Sequence, residues 1–324
     1  MHPSNRKWRL KTINYDNWIS FSRNIQYGNL MQSWAYGESK RAEGWMPKRY
    51  ILVDGDGNNY GLLQVLVKRL CRIAQVARIN RGPILFGSDH TMGYTTYKVT
   101  QIWKAISRHA LRSGWWLILA APEATTEKLD IAHSLAKVGL RRRASSIPWA
   151  SIRLALAKNS EQLLAQQNGK WRNLLRKGLK LDVAVEEVKN TKQIDAILSQ
   201  YERFQIENEF DGVPRKILNS LVGIGSLSQT AKVYQTLCDV TREVSGFVVI
   251  SYHFDTAMYL VGWTSPRGRE QQANYLLLWQ AIKDAKMSGM SWFDMGGVTE
   301  NTPTGIAHFK KGIGGDYYNN AGEF

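Results

Sequence analysis

Cysteine is nearly absent from this chain. Cys71 and Cys238 are the two in 324 residues, with no CxxC pair and no His/Cys spacing suited to zinc. This argues against a disulfide framework or a structural metal, and a reducing cytoplasm is the expected setting. Long apolar runs are missing as well. No stretch approaches the roughly 18 consecutive apolar residues of a membrane span, and the opening MHPSNRKWRLK lacks the apolar region of a signal peptide. A protein without a transmembrane segment is expected. Acidic residues are the third shortage: 27 Asp and Glu stand against 43 Lys and Arg, a formal net charge of +16. Such a balance favours polyanionic partners, whether nucleic acid, phosphorylated intermediates or an anionic membrane surface.

Several catalytic signatures are missing too. There is no G-x-S-x-G elbow, the six histidines form no recognisable ligand spacing, and both cysteines lie in apolar, strand-like runs. These absences argue against nucleophilic hydrolysis and against a metal site. No G-x-x-x-x-G-K-[ST] occurs, so ATP-driven ligation through a P-loop is not expected.

What the chain has is length and pattern. With 44% apolar residues it can build two ordinary domains, and its 12 Trp and 14 Tyr either fill cores or stack on bases and sugars. A two-copy repeat runs through it. Leu52-Val53-Asp54 is followed, seven residues after the Asp, by Gly61 and LLQVLV; Leu237-Cys238-Asp239 is followed at the same interval by Gly246 and FVVISY. Each reads as strand, tight turn, strand. Further on, Ile102-Trp103-Lys104-Ala105-Ile106 leads to Ser113-Gly114 and WWLILAA, while Leu278-Trp279-Gln280-Ala281-Ile282 leads to Ser288-Gly289 and SWFDM. Both predict helix, Gly cap, strand. An offset of roughly 176 to 185 positions indicates a duplicated α/β (α+β) domain.

Residues 1–150 are therefore assigned to a first domain and 151–304 to a second, with the join near Pro148 beyond Arg141-Arg142-Arg143. The C-terminal segment from about 305 to 324 is a candidate to return to the first. Between the copies, about Ser160 to Leu227 is mainly helical. Its first segment, from Glu161 to Leu181, places Leu163, Leu164, Trp171, Leu174 and Leu175 at helical spacing on one face and Lys170, Arg172, Arg176, Lys177 and Lys180 on the other.

A repeated strand, hairpin, helix and strand suits an acyl-CoA-dependent N-acyltransferase fold, whose pyrophosphate loop presents successive backbone N–H groups at a helix start. The loop pattern [QR]-x-x-G-x-[GA] does not fit SPRGREQQANYLLLW in copy two or GSDHTMGYTTYKVTQIW in copy one. The last candidate is Ser291 to Gly315, SWFDMGGVTENTPTGIAHFKKGIGG. It sets Asp294, a Gly pair and Phe309-Lys310-Lys311 ahead of a glycine cluster, a loop whose backbone could approach a ligand closely.

Several segments together resemble the FemABX family of non-ribosomal peptidyltransferases: QSWAYGESKRAEGW (Gln32 to Trp45), INRGPIL (Ile79 to Leu85), WRNLLRKGLKLDV (Trp171 to Val183), NYLLLWQAIKDAKMSGMSWFDMGG (Asn274 to Gly297) and GIAHFKKGIGG (Gly305 to Gly315). They run in order over nearly the whole chain. The resemblance implies two tandem acetyltransferase-like (GNAT-like) domains. Without sustained heptads between Ser160 and Leu227 it implies an armless, FemX-like member with no coiled-coil arm. The implied activity is transfer of an amino acid from aminoacyl-tRNA to an amine of a nucleotide- or lipid-linked peptidoglycan precursor, or another amine acceptor. No cofactor is implied beyond aminoacyl-tRNA as co-substrate.

By the same resemblance, Phe309 and Lys310 match the family's catalytic Phe-Lys pair. Lys310 would be the cation that stabilises an oxyanion. Lys40 is a candidate for the acceptor's diphosphate, Arg81 for the same anion or for bracing a turn beside Pro83, and Tyr259 for the acceptor channel. Lys170, Arg172, Arg176, Lys177 and Lys311 are candidate contacts to tRNA, and Asp294 is read as structural support. Many members carry an acid before the proline that ends the first-copy strand, but here Ala121 precedes Pro122, so a carboxylate base at that place is excluded. The segment IENEFDGVPR also departs from the family's Thr/Arg-containing pattern. Two alternatives stay open: an acyl-CoA-dependent N-acyltransferase, and a non-catalytic RNA-binding module. Peripheral contact with an anionic membrane is a further open partner assignment.

Overall fold

The computed structural model describes residues 7–70, 74–87, 96–123, 131–224 and 230–324. Cys71 and much of the GSDHTMG segment lie outside them. The chain forms two units, Met1–Ala150 with Tyr318–Phe324, and Ser151–Tyr317. The C-terminal return thus begins at Tyr318, later than 305, and residues 305–317 stay with the second unit.

The first unit contains β1 (Arg9–Thr12), α1 (Tyr15–Ser22), α2 (Trp34–Ser39), β2 (Met46–Val53), β3 (Asn59–Arg69), β4 (Gln75–Asn80), β5 (Ile84–Leu85), α3 (Thr96–Ser113), β6 (Trp115–Ala121) and α4 (Ile131–Ala136). Its sheet runs β1-β2-β3-β4-β6, with β5 on β3. Neighbours pair antiparallel except β4 and β6, which are parallel and therefore need the α3 crossover. Val99, Ile102, Trp103, Ile106 and Ala110, recurring at i, i+3, i+4, i+7 and i+11 on α3, bury one helical stripe with Leu52, Leu63, Val65 and Val67 of the sheet in one core. The C-terminal Phe324 exchanges backbone hydrogen bonds with Ala120 (2.9 and 2.7 Å) and is buried in the same core, which ties the tail to β6.

The second unit repeats this plan. It contains β7 (Ala150–Ala155) from Ser151 on, α5 (Ser160–Gln166), α6 (Gly169–Leu179), β8 (Val185–Val188), α7 (Thr191–Glu207), α8 (Arg215–Leu221), β9 (Ala231–Leu237), β10 (Val244–His253), β11 (Thr256–Thr264), α9 (Pro266–Glu270), α10 (Ala273–Met287), β12 (Trp292–Asp294), α11 (Thr304–Lys311) and the first two residues of β13 (Asp316–Asn319). The order β13-β7-β12-β11-β10-β9-β8 places β9 to β12 as β2, β3, β4 and β6 are placed in the first unit, with β11 and β12 as the parallel pair. The two glycine caps are in the left-handed region, at φ 70° for Gly114 and 78° for Gly289, where a side chain is strained.

Three local expectations need correction. The segment Glu161 to Leu181 is two helices, because Gln167 and Asn168 take extended backbone and Asn168 caps α6 through Lys170 N. Cys238 lies in the turn after β9, outside any strand, and is a free thiol. Lys310 and Lys311 sit on a helix, α11, not on a loop.

Candidate active site

In the second unit the parallel strands β11 and β12 pair over three residues only, Thr256 with Trp292, Ala257 with Phe293 and Met258 with Asp294. Beyond this point β11 continues to Thr264 while β12 ends, so the sheet opens as a fork. Two features sharpen it. A bulge in β11 leaves Leu260 unopposed between Tyr259, paired with Ile250, and Val261, paired with Val249. On the other prong Gly296 turns at φ 68°, and a Cβ there would stand 2.6 Å from the Tyr259 carbonyl. Only glycine lets the backbones pass this closely.

Lys310 reaches into this fork. Successive helical residues point about 100° apart, so α11 buries Lys310 (8% exposed) and leaves Lys311 in solvent. The ammonium donates to Gly297 O at 2.8 Å and lies 5.3 Å from the centre of the Tyr259 ring. Gly297 takes one of its three donors. Burial lowers the Lys310 pKa from 10.5 to about 8, against the opposing pull of Asp294. Burial also pushes the Tyr259 phenol up, so the phenol stays neutral.

The depressed Lys310 pKa makes stability depend on pH. Between about pH 8 and 10.5 the unfolded chain keeps this proton and the folded chain sheds it, so stability rises with pH across that window. Below pH 8 both states are protonated and the folded state carries the full burial penalty. Lys310→Met should therefore be more stable than the parent at pH 7, by a margin that shrinks toward pH 10. Urea titrations of both proteins at the two pH values check this; a margin independent of pH would contradict it.

Asp294 supports the fork. Its Oδ1 accepts from Gly296 N at 2.8 Å and lies 2.5 Å from Ser151 Oγ, which is also 2.7 Å from Gly296 O. The single Ser151 proton can serve only one of these acceptors at a time. Arg153 adds a looser ion pair at 3.9 Å. The expected structural part for Asp294 is thus what the geometry shows: it pins β7 to β12 and holds the Gly296 turn. Asp294→Asn should cost about 1–3 kcal/mol of stability, since a buried charge-assisted acceptor is replaced by an amide that fits one fewer donor. Thermal unfolding measures this, and an unchanged midpoint would sink the assignment.

Phe309 packs behind Lys310. It stacks on Trp171 of α6 (6.2 Å, 27°) and meets Tyr275 of α10 edge-on (5.2 Å, 81°), so three helices share one aromatic cluster. The glycines after α11 serve the same packing. A Cβ at Gly312, Gly314 or Gly315 would stand 2.7 Å from Trp171, 2.1 Å from Gln166 O or 2.5 Å from Arg153 O. They admit neighbouring chain, not a ligand.

The other candidates separate. Lys170, Arg176 and Lys177 are exposed on α6, whereas Arg172 is half-buried and donates to Ala165 O at 2.9 Å. In the first unit Lys40 is half-buried, pairs with Glu43 and lies 5.9 Å from the Tyr36 ring. Arg81 is turned inward. It forms a two-pronged pair with Glu123 (2.6 and 2.7 Å), bonds the Tyr318 hydroxyl at 2.9 Å and lies 5.4 Å from the Trp149 ring. Of its two expected roles, the pair with Glu123 fits the brace. Glu123 stands two residues beyond Ala121, on the far side of Pro122, where no local pattern marks it as the partner of a residue 42 positions earlier.

Residues 165–311 match the acetyltransferase (GNAT) domain family, which supports acyl transfer as the class of activity. Comparison with curated proteins gives no match. Among solved structures the chain is similar to FemX, with a TM-score of 0.79 and 16% identity over 98% of this chain and 96% of that one. It is similar to a tandem GNAT protein from the clavulanic acid biosynthesis pathway (TM-score 0.55, 12% identity, 98% and 97% covered). A conserved protein of unknown function from Bacteroides thetaiotaomicron also matches (0.59, 10%, 97% and 98%). The fold class is tandem GNAT. Within that class the chain has the fold of FemX along nearly its full length, as the sequence resemblance implied.

Proposed function

We propose that this chain is an aminoacyltransferase that moves an amino acid from aminoacyl-tRNA to an amine of a peptidoglycan precursor or a related acceptor. The observation that carries this is the buried Lys310 ammonium at the β11/β12 fork, held by Gly297 O with donors to spare. An aminoacyl ester is already activated, so attack by a neutral amine needs no covalent enzyme intermediate. The amine nitrogen forms a bond to the ester carbonyl carbon, the carbonyl oxygen becomes an oxyanion, and collapse expels the ribose oxygen. That oxygen takes up the proton shed by the amine. Lys310 would donate to the oxyanion, and Phe309, wedged against Trp171 and Tyr275, would fix its helix. Tyr259 would line the acceptor channel as a neutral phenol.

The exposed basic residues Lys170, Arg176, Lys177 and Lys311 would neutralise tRNA phosphates, with Arg172 bracing α6. Lys40 would exchange its Glu43 partner for the acceptor's diphosphate. No cofactor is needed, and cytoplasmic residence follows from the use of charged tRNA. Among the described residues no group of His, Cys, Asp or Glu could hold a metal ion, and no helix is long and apolar enough to cross a membrane. Where an acyl-CoA enzyme would carry its pyrophosphate loop, the second unit forms the short helix α9, capped by Ser265.

The test supplies the purified protein with a pool of charged tRNAs and candidate amine acceptors, with and without RNase, and identifies products by mass spectrometry. An RNase-sensitive aminoacylated product is expected. Turnover of a CoA thioester insensitive to RNase would overturn the proposal in favour of acyl-CoA chemistry, and salt-sensitive RNA binding without product would mark a non-catalytic module.

A further inference from the structure

One end of the first unit's sheet has an unusual surface. The register places there the start of β2 at Met46, the end of β3 at Lys68 and Arg69, the start of β4 at Gln75 and the start of β6 at Trp115. Through Ser113-Gly114 the end of α3 joins them. In β6, Trp115 pairs with Gln75 and Leu117 with Val76, so Trp116 is an extra, bulged residue. A regular strand would send one of two neighbours inward. Here the bulge puts Trp116 (71% exposed) and Leu117 both in solvent, and Leu111 (83%), Leu70 and Met46 are exposed at the same end.

Basic groups surround these residues: Lys68, Arg69 and Arg112 are all exposed. The acids of the described unit are distant or paired. Asp54, Asp56 and Glu123 belong to the opposite end, Glu38 pairs with Arg41 and Arg49, Glu43 with Lys40, and Glu323 with Arg78 and Arg143, leaving Asp16 on α1.

We infer that this end of the first unit docks on an anionic lipid bilayer. A protruding Trp beside aliphatic side chains suits the headgroup boundary, where its amphipathic ring and the Leu side chains enter and the Lys and Arg collar meets lipid phosphate. RNA is the less suitable occupant, because bases stack on aromatic platforms, and four of the five exposed apolar residues here are Leu or Met. This docking is independent of the acyl-transfer chemistry at Lys310.

The experiment is co-sedimentation of the full chain with vesicles of phosphatidylcholine alone and with about one-third phosphatidylglycerol, at low and high salt. Binding to the anionic vesicles, weakened by salt, is expected. Trp116→Ser/Leu117→Ser should weaken it at least tenfold with the unfolding midpoint unchanged, since both side chains are exposed. Arg69→Glu/Arg112→Glu should do the same by charge alone. Equal binding by parent and both variants, equally weak binding to both vesicle types, or displacement of the chain to a single-stranded RNA oligomer through these same residues would overturn the inference.

Discussion

Lys310→Ala should lower the rate of amino-acid transfer by about 10²- to 10³-fold, the loss typical of one removed oxyanion donor. Its fold should be retained, because the side chain's burial is itself a penalty at neutral pH. The pH profile separates this role from a merely structural one. With its pKa near 8, Lys310 is cationic below that value and loses its charge above it. The acceptor amine reacts only when neutral, so its own titration gives a rising limb as pH increases. The parent should therefore show a bell whose descending limb falls near pH 8. Lys310→Arg keeps its charge throughout and should retain part of the activity without that descending limb. A parent rate that keeps climbing through pH 9 would instead make Lys310 a proton acceptor.

The second large effect lies in the first unit. Glu123→Leu should destabilise the protein by about 3–5 kcal/mol, because it strands the Arg81 guanidinium in a buried site. For a unit of this size that is a fall of roughly 10 °C in the unfolding midpoint. Arg81→Met/Glu123→Leu should recover most of the loss, since removing both charges leaves no unpaired ion. The tail is involved as well: Tyr318 bonds Arg81 and Asn320 lies 3.5 Å from Glu123, so Glu123→Leu should loosen residues 318–324 in hydrogen exchange. Unchanged stability with a raised KM for the acceptor would show that Arg81 serves substrate after all.

These two sites differ in how far the sequence reveals them. The repeat was legible because each copy carries the same local signals: a polar turn between β-rich runs, then a helix stripe ending in Ser-Gly. Those signals are short-range, and Gly114 and Gly289 adopt the left-handed backbone they imply. The Phe309-Lys310 pair is legible as a motif, whereas its place on α11 is not. Glycines on both sides suggested a loop, and nothing local announces that Gly312, Gly314 and Gly315 answer to Trp171, Gln166 and Arg153 in remote segments. Arg81 and Glu123 are 42 residues apart, and no period connects them. The break at Gln167-Asn168 is masked by apolar spacing that continues across it, and its one local signal is Asn168, a cap residue three positions before Trp171. Charge pattern likewise grouped Arg172 with its neighbours, whereas its bond to Ala165 O depends on that same break.

The most direct test is single-turnover transfer from radiolabelled aminoacyl-tRNA to an amine acceptor, with the parent and Lys310→Ala side by side and acyl-CoA in a parallel reaction. Label should move to the acceptor with the parent, cease when the tRNA is pretreated with RNase, and move at least 10²-fold more slowly with Lys310→Ala. Equal transfer by both proteins, or transfer from the CoA thioester alone, would contradict an aminoacyl-tRNA reaction centred on the β11/β12 fork.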